Sequence, residues 1–414
     1  MKFLFIFLLI LRSALDIFSD VSFGPLKLNI PALWGIFLIC VGCLYFVFHS
    51  KVLLPKISKF FGVWIIMLFI STVVSFSNFS EQALISVREL IRIVTILMSF
   101  LIFYNLVKTK QDERLIKYFL FALPIPLVVG IYQKVSYSGL KDPHLNITRI
   151  YGSFAHPNSF ALFLVFFILL TIWFIQNYKR KLLWYILLFL ELFCLIFTFS
   201  FSGYILLLVS FIGLFLKIRI KSSKKNFFFL ILFVLILFVI QTKEFKTRYE
   251  RIKLIDLSET LRERKVVDSF TWRIVNWMNL FDLWKEKPIL GWGLQTVEII
   301  NPWKTEKGVG YAAHNDFLRL LVETGLVGFM FYLLFLISTC FIVYREYKGC
   351  KEKHLKSLLY VLFVFFVSWQ IVSGVGNYIT VTAYQIYFWS LLGITLKLNK
   401  LLKRKNEDSY SISN

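Results

Sequence analysis

The sequence is poor in residues that bind metals or form redox pairs. Its 414 residues include five cysteines and five histidines, and four of the cysteines lie within apolar stretches. No DxD-like pair of aspartates lies beside an apolar run, and no His, Cys and carboxylate group has the spacing of metal ligands. Cys40 and Cys43 form a CxxC within an apolar run, which we interpret as small packed residues, with a redox pair or metal site as the alternative. The sequence therefore predicts no metal and no cofactor.

Acidic residues are also scarce. The chain has 24 Asp and Glu against 47 Lys and Arg, a formal charge of +23. A nucleic-acid partner would favour one basic patch, but these cations lie in short clusters between apolar runs, as in the cytoplasmic connections of membrane proteins. The charge therefore indicates a membrane protein and no nucleic-acid partner.

Long apolar runs are what the chain has in abundance. Hydrophobic residues make up 58%, including 47 Phe, and mean hydropathy is +0.71. Runs of about 17–21 residues can cross a bilayer as helices, and they lack the alternation of a membrane barrel. We predict an all-α, polytopic protein with a single transmembrane domain, residues 1–414. About twelve spans are expected, at 2–18, 31–49, 58–76, 90–107, 117–135, 159–176, 183–200, 203–217, 227–241, 325–344, 357–373 and 382–397.

Every second connection between these spans is basic. With both termini in the cytoplasm, the positive-inside rule is satisfied throughout. Residues 242–313 then form one large external loop, whose charges are mixed in sign. Helical character is expected at 249–264 and 272–285, and Trp272, Trp277 and Trp284 suggest that the second helix rests on the membrane surface.

Four predicted external stretches carry polar side chains. They are RIYGSFAHPN from Arg149, TFSFSGY from Thr198, WR at Trp272 followed by KPILGWG from Lys287, and HN at His314 followed by ETGLVG from Glu323. Each also fits a purely structural role. His156, Pro157 and Asn158 could start a helix, the serines and glycines could form turns, His314 and Asn315 could cap a helix, and Arg319 could pair with Glu323.

Taken in order, these stretches resemble the O-antigen ligase and Wzy-type polysaccharide polymerase superfamily, a group of bacterial membrane glycan polymerases and ligases. Residues 185–345 carry most of the likeness. The resemblance implies a GT-C-like architecture and a metal-independent, inverting glycosyltransferase on the outer face of the bacterial cytoplasmic membrane. The family often has an arginine inside the Ser-x-Ser-Gly turn, where this chain has Phe201. Another cation would then hold the phosphate, with Arg149, Arg88 and Arg92 as candidates.

The resemblance also implies roles for particular residues. Arg273 would bind the diphosphate of an undecaprenyl-diphosphate-linked donor, and His314 would act as general base on the acceptor hydroxyl, or would position it. We further predict a set of substrate-binding residues: Arg149, His156, Asn158, Ser202, Asn315, Arg88 and Arg92. Trp292 and Tyr311 could stack on sugars or pack in the core.

Three functions are compatible with these sequence features. The first is a polymerase that joins lipid-linked repeat units into capsule, exopolysaccharide or O-antigen, and the second is a ligase that moves finished glycan to another acceptor. A transporter of lipid-linked sugars is the third, but such folds usually show repeated halves, and no internal repeat is visible here. Expected partners are membrane lipid, the glycan donor and acceptor, a flippase and a chain-length regulator.

Overall fold

The described part of the chain is almost entirely helical. The computed structural model describes residues 1–24, 28–49, 51–142, 147–179, 181–215, 246, 250, 262–264, 266, 269–304, 308–379 and 381–412. Its α-helices, in chain order, are α1 (Lys2–Leu15), α2 (Ile30–Val47), α3 (Lys56–Phe79), α4 (Leu84–Leu106), α5 (Leu115–Tyr118), α6 (Pro124–Val135), α7 (Pro157–Asn177), α8 (Lys181–Phe197), α9 (Phe201–Phe215), α10 (Ser269–Glu286), α11 (Val297–Ile300), α12 (Asp316–Gly349), α13 (Lys353–Ser373) and α14 (Thr382–Ile412).

Two small antiparallel hairpins complete the fold. Strand β1 (Ser22–Phe23) pairs with β2 (Leu28–Asn29), and β3 (Leu140–Asp142) pairs with β4 (Ile147–Arg149). Because these hairpins are so short, the described residues confirm the prediction of an all-α protein. The predicted span 227–241 and most of the predicted helix 249–264 lie outside the described residues.

Within the described residues, six helices are long and apolar enough to cross a membrane. They are Ile30–Val47, Lys56–Phe79, Lys110–Val135, Pro157–Asn177, Asp316–Gly349 and Lys353–Ser373. This confirms a polytopic helical protein, while the total of about twelve spans stays a prediction. The helix after His314 begins nine residues before its predicted start at 325, because Asn315 caps it: the Asn315 side chain accepts a 3.0 Å hydrogen bond from the Leu318 amide.

Helix α7 forms the centre of the bundle. Its sequence is apolar on all sides, and 89% of its apolar window is buried by protein. A helix that is apolar on all sides can be covered by protein or by lipid: α7 is covered mostly by protein, whereas the span Ile30–Val47 is only 33% buried, which leaves one side for lipid. The body of α7 is therefore enclosed by neighbouring helices.

The connections between helices gather at two opposite ends of the bundle. At one end, the basic connections are joined by polar contacts: Lys2 to Asp112, Tyr178 to Glu113, Trp173 to the His354 carbonyl and Lys403 to Glu346. We call this the basic end. The other end, which we call the site end, joins the start of α7 to the ends of α1 and α8 and the starts of α12 and α14, through contacts such as Ser153 to the Ser13 carbonyl.

Two glycine-rich segments meet at the site end. The chain is non-helical at Gly325, where φ is +64°, and this kink in α12 lies directly against the segment 288–293. The amides of Trp292 and Gly293 donate to the carbonyls of Val322 and Glu323, at 3.0 and 2.8 Å, while the Leu326 amide donates to the Pro288 carbonyl at 2.8 Å. The glycines therefore do more than make turns, because they allow two backbones to touch.

Replacement of Gly325 by alanine is expected to destabilise the protein severely. A Cβ there would lie 2.2 Å from the Ile289 carbonyl oxygen, and the positive φ adds strain, so we expect a loss of at least about 3 kcal/mol. The measurement is the thermal midpoint of detergent-solubilised protein followed by size-exclusion chromatography. Gly62→Ala is the control, since a Cβ at Gly62 meets nothing within 4 Å. Equal midpoints for the two variants would contradict the packing role.

Candidate active site

The start of α7 organises one side of the candidate site. His156 caps the helix: its Nδ1 accepts a 3.1 Å hydrogen bond from the Asn158 amide, and Pro157 occupies the first turn, where no amide proton is needed. The Asn158 side-chain oxygen accepts from Arg149 at 3.0 Å and from the Ser200 hydroxyl at 2.9 Å. The predicted helix-start role is thus observed, with His156 as the cap, while Asn158 links two further elements.

Arg149 reaches the Ser-x-Ser-Gly turn directly. Its Nε donates to the Thr198 carbonyl at 2.9 Å, so the guanidinium lies over the turn between α8 and α9. Phe201, which stands where the family often has arginine, is 44% exposed. Of the three cations proposed to substitute for that arginine, Arg149 is the one with a hydrogen bond to this turn among the described contacts.

Helix α10 fixes the segment that carries His314. Asn276 donates to the Ala312 carbonyl at 3.2 Å, and the Trp277 indole donates to the Ala313 carbonyl at 2.8 Å. Trp272 packs edge-on against the His314 ring, with centroids 5.5 Å apart. The predicted helix is confirmed. Trp272 and Trp277 were predicted to rest on the membrane surface, but both of them contact the protein segment that carries His314.

His314 is held in an unusual backbone conformation next to a cation. Its φ is +50°, which non-glycine residues rarely adopt and which is common at functional sites. Burial and, to a lesser extent, the charge of the nearby Arg273 together lower the pKa of His314 to about 4. Desolvation, Arg149 and His314 likewise lower the pKa of His156, although this residue stays exposed. Both imidazoles are therefore neutral near pH 7, and the two histidines lie close enough to influence each other.

Tyr378, between α13 and α14, was missed in the sequence and lies among these groups. It is 5% exposed, and burial raises its pKa to about 12, while Ser202, Arg273 and Arg149 act in the opposite direction. The hydroxyl is hydrogen-bonded to Ser202, and both arginines are near enough to act on it electrostatically. The one sequence signal is Gly376, where any Cβ would lie 2.1 Å from the tyrosine ring.

Asp316 positions the Tyr378 loop. One carboxylate oxygen accepts from the amides of Tyr378 and Ile379, at 2.6 and 3.0 Å, and Gln385 donates to the carbonyls of the same two residues. Because Asp316 follows His314 by two residues, the start of α12 fixes both the histidine and the tyrosine. We refer to Arg149, His156, Asn158, Ser202, Arg273, His314 and Tyr378 together as the polar site.

Removal of the Tyr378 hydroxyl is expected to slow the reaction of this site about fivefold to tenfold, because it deletes a hydrogen bond to Ser202 worth about 1–1.4 kcal/mol. Tyr378→Phe keeps the ring over Gly376, so the folded amount should not change. The measurement is the initial rate of glycan transfer, the activity that the resemblance implies. Tyr132→Phe, at a tyrosine that is 65% exposed on α6, is the control. A normal rate for Tyr378→Phe would remove this residue from the site.

Arg88 and Arg92 belong to a different cluster. Arg92 donates to Glu89 at 3.2 Å, and Glu89 also accepts from Arg319 at 3.2 Å. Arg319 in turn bonds Glu323 at 3.2 Å, so the predicted pairing of these two residues is observed within a larger network. Burial raises the pKa of Glu298, and Arg319, Arg88 and Arg92 oppose that rise, which places them around this carboxyl.

The remaining predicted residues have structural contacts. Asn315 caps α12, as the structural alternative proposed. Trp292 donates to the Leu283 carbonyl at 2.8 Å and lies under the Lys287 ammonium, which is packing and not an open stacking surface. The structure therefore joins six of the nine predicted residues in the polar site and leaves Asn315, Arg88 and Arg92 beside it.

This arrangement defines a class of protein. Two guanidinium groups, two neutral imidazoles and a tyrosine hydroxyl meet where the membrane helices end, which suits an anionic leaving group beside a group that accepts a proton. Residues 186–333 match the family model described as O-antigen ligase. Over these residues, the match bears out the predicted resemblance to the O-antigen ligase and Wzy-type polymerase superfamily and supports a membrane enzyme that joins glycans. A comparison with curated proteins finds no match.

Proposed function

We propose that the protein is a polymerase that joins undecaprenyl-diphosphate-linked repeat units at the outer face of the cytoplasmic membrane. The product would be capsule, exopolysaccharide or O-antigen. The observation that carries this proposal is the Arg149 guanidinium, held at the Ser-x-Ser-Gly turn by its 2.9 Å hydrogen bond to the Thr198 carbonyl, at the same end of the bundle as the His314 ring, which packs against Trp272. The site end lies opposite the basic end, so the positive-inside rule favours an external site and cytoplasmic termini.

The chemistry follows from these side chains. An acceptor hydroxyl oxygen attacks the anomeric carbon of the donor, the bond from that carbon to the diphosphate oxygen breaks, and attack from the opposite face inverts the configuration. His314 takes the proton of the hydroxyl, and the diphosphate leaves on its lipid. Negative charge grows on the diphosphate as the bond breaks, and preorganised arginines stabilise such charge by about 2–4 kcal/mol each.

Arg149 is the residue that we assign to the family arginine, because its guanidinium lies over the turn that contains Phe201. Diphosphate binding by arginine needs no metal ion. Within the described residues, no group of three or more His, Cys, Asp and Glu side chains is placed to hold a metal.

The test uses purified protein in liposomes with lipid-diphosphate-linked repeat units from the producing organism. The products of wild type and His314→Asn are compared on a gel, with His49→Ala at the basic end as control. A ladder that is lost only in His314→Asn supports a polymerase. A single transfer to an added acceptor glycolipid would show a ligase instead, and movement of the donor across the bilayer without transfer would show a transporter.

A further inference from the structure

A polar cavity lies beside the polar site. It has a volume of about 220 Å³, and its polar lining consists chiefly of Arg12, Asp16, Ser19, Arg92, Ser159 and Thr382. We call it the Arg12 cavity. Ser159 lies on the first turn of α7, one residue after Asn158, so the cavity and the polar site share the start of this helix.

Both arginines of the cavity already have carboxylate partners. Arg12 donates to Asp16 at 2.8 Å, and their side chains are only 3% and 13% exposed. Arg92 donates to Glu89 at 3.2 Å. An anion would have to compete with these carboxylates, and disrupting a buried ion pair is costly. The charge balance therefore favours a neutral ligand.

The cavity nevertheless offers hydrogen bonds that the protein does not use. Arg12 Nε is buried and has no acceptor in the described part of the chain. Within the same part, the Ser19 and Ser159 hydroxyls make no hydrogen bond to protein, and Thr382 Oγ1 accepts from Arg12 at 3.2 Å, which leaves its proton to donate. Donors and acceptors mixed in this way match hydroxyl groups, which both donate and accept.

The size of the cavity limits the ligand. A volume of 220 Å³ equals that of about seven liquid waters, at roughly 30 Å³ each. Such a space suits one sugar ring better than an oligosaccharide. Its position beside His156 and Asn158 suits a sugar whose neighbouring group reaches the polar site.

We propose that the Arg12 cavity binds one neutral sugar residue of the glycan substrate and so contributes to glycan specificity. This rests on the proposed function, since it assumes a glycan at the polar site. Asp16 would accept from sugar hydroxyls, Arg12 and Thr382 would donate, and Ser19 and Ser159 would do either. The Arg12–Asp16 pair stays intact with the sugar bound.

Binding of sugar without lipid or diphosphate tests this directly. The probe is the neutral repeat-unit oligosaccharide cut from the organism's own polymer, and saturation-transfer NMR measures its binding to protein in detergent. Ser159→Leu, which fills the cavity, should weaken binding at least tenfold, and Thr382→Val should weaken it several-fold. Ser77→Leu, at an exposed serine of α3, should bind normally, as should Arg273→Gln.

Several results would overturn the proposal. They are normal binding by folded Ser159→Leu, loss of binding in Arg273→Gln, displacement of the oligosaccharide by sodium pyrophosphate, or no binding to wild type. Glycan transfer is measured on the same samples. Sugar binding without any transfer would refute the proposed function and leave the cavity as a sugar site. Transfer by Ser159→Leu with unchanged kcat and KM would refute the sugar site and leave the proposed function in place.

Discussion

Replacement of Arg273 by glutamine is expected to lower the rate of glycan transfer at least a hundredfold. The charge of Arg273 lowers the pKa of His314, the proposed base, and it also lowers the pKa of Tyr378, so it is felt at two groups of the polar site. Loss of one preorganised group that stabilises transition-state charge typically costs about 10²–10³ in rate. Initial rates at several donor concentrations would show whether kcat or KM carries the loss, and we expect a fall in kcat.

Arg264 provides the matched control for this experiment. It precedes the same helix and pairs with Asp282, with both side chains 45% exposed, and exposed pairs contribute little. Arg264→Gln should therefore leave transfer unchanged. Arg273→Lys should give an intermediate rate, because it keeps the charge and loses the planar, bidentate geometry. Equal losses in Arg273→Gln and Arg264→Gln would indicate a general effect on folding and not a role in the site.

The order of the motifs was enough to predict which residues lie at one end of the bundle, but not which of them touch. Arg149, His156 and Asn158 are close in sequence and next to a helix start, so local rules could place them. Arg88 and Arg92 share that end by topology alone. Their cluster forms through Arg319, 230 positions along the chain from Glu89, and no local pattern predicts a pairing over that distance.

Tyr378 and the two glycine-rich segments are further contacts that the sequence patterns did not predict. Tyr378 lies in a stretch with no charge, and its backbone is positioned by the carboxylate of Asp316, a distant residue in the sequence, together with Gln385. Gly291 was predicted as a turn residue, which its positive φ of 71° bears out, whereas the positive φ of 64° at Gly325 was not predicted. These two glycines are in contact because two distant backbone segments meet in the fold. A preference for turns in the sequence does not predict which segments will meet.

His314→Asn is the variant that tests the proposed base without disturbing the chain. Asparagine tolerates a positive φ better than alanine, so it can keep the backbone at +50° while it removes the imidazole. We expect transfer to fall by about 10²–10⁴, the usual contribution of a general base. Binding of the lipid diphosphate should persist, because the arginines remain. A rate within a few-fold of wild type would assign His314 a purely structural role.

The pH dependence of the wild type provides an independent test of the same residue. The pKa of His314 is lowered to about 4 from 6.5, first by burial and then by Arg273, so the neutral form that accepts a proton is present above about pH 4. The rate of glycan transfer should therefore fall as the pH drops below about 4. If the base were an exposed histidine, the rate would fall below about pH 6.5. In Arg273→Gln the residual activity should be lost at a higher pH than in wild type, yet below 6.5, because burial remains. The folded state should also lose stability as the pH falls from 6.5 towards 4, since only the unfolded chain gains a proton on histidine there. An acid limb that stays near pH 4 in His314→Asn would assign that limb to another group.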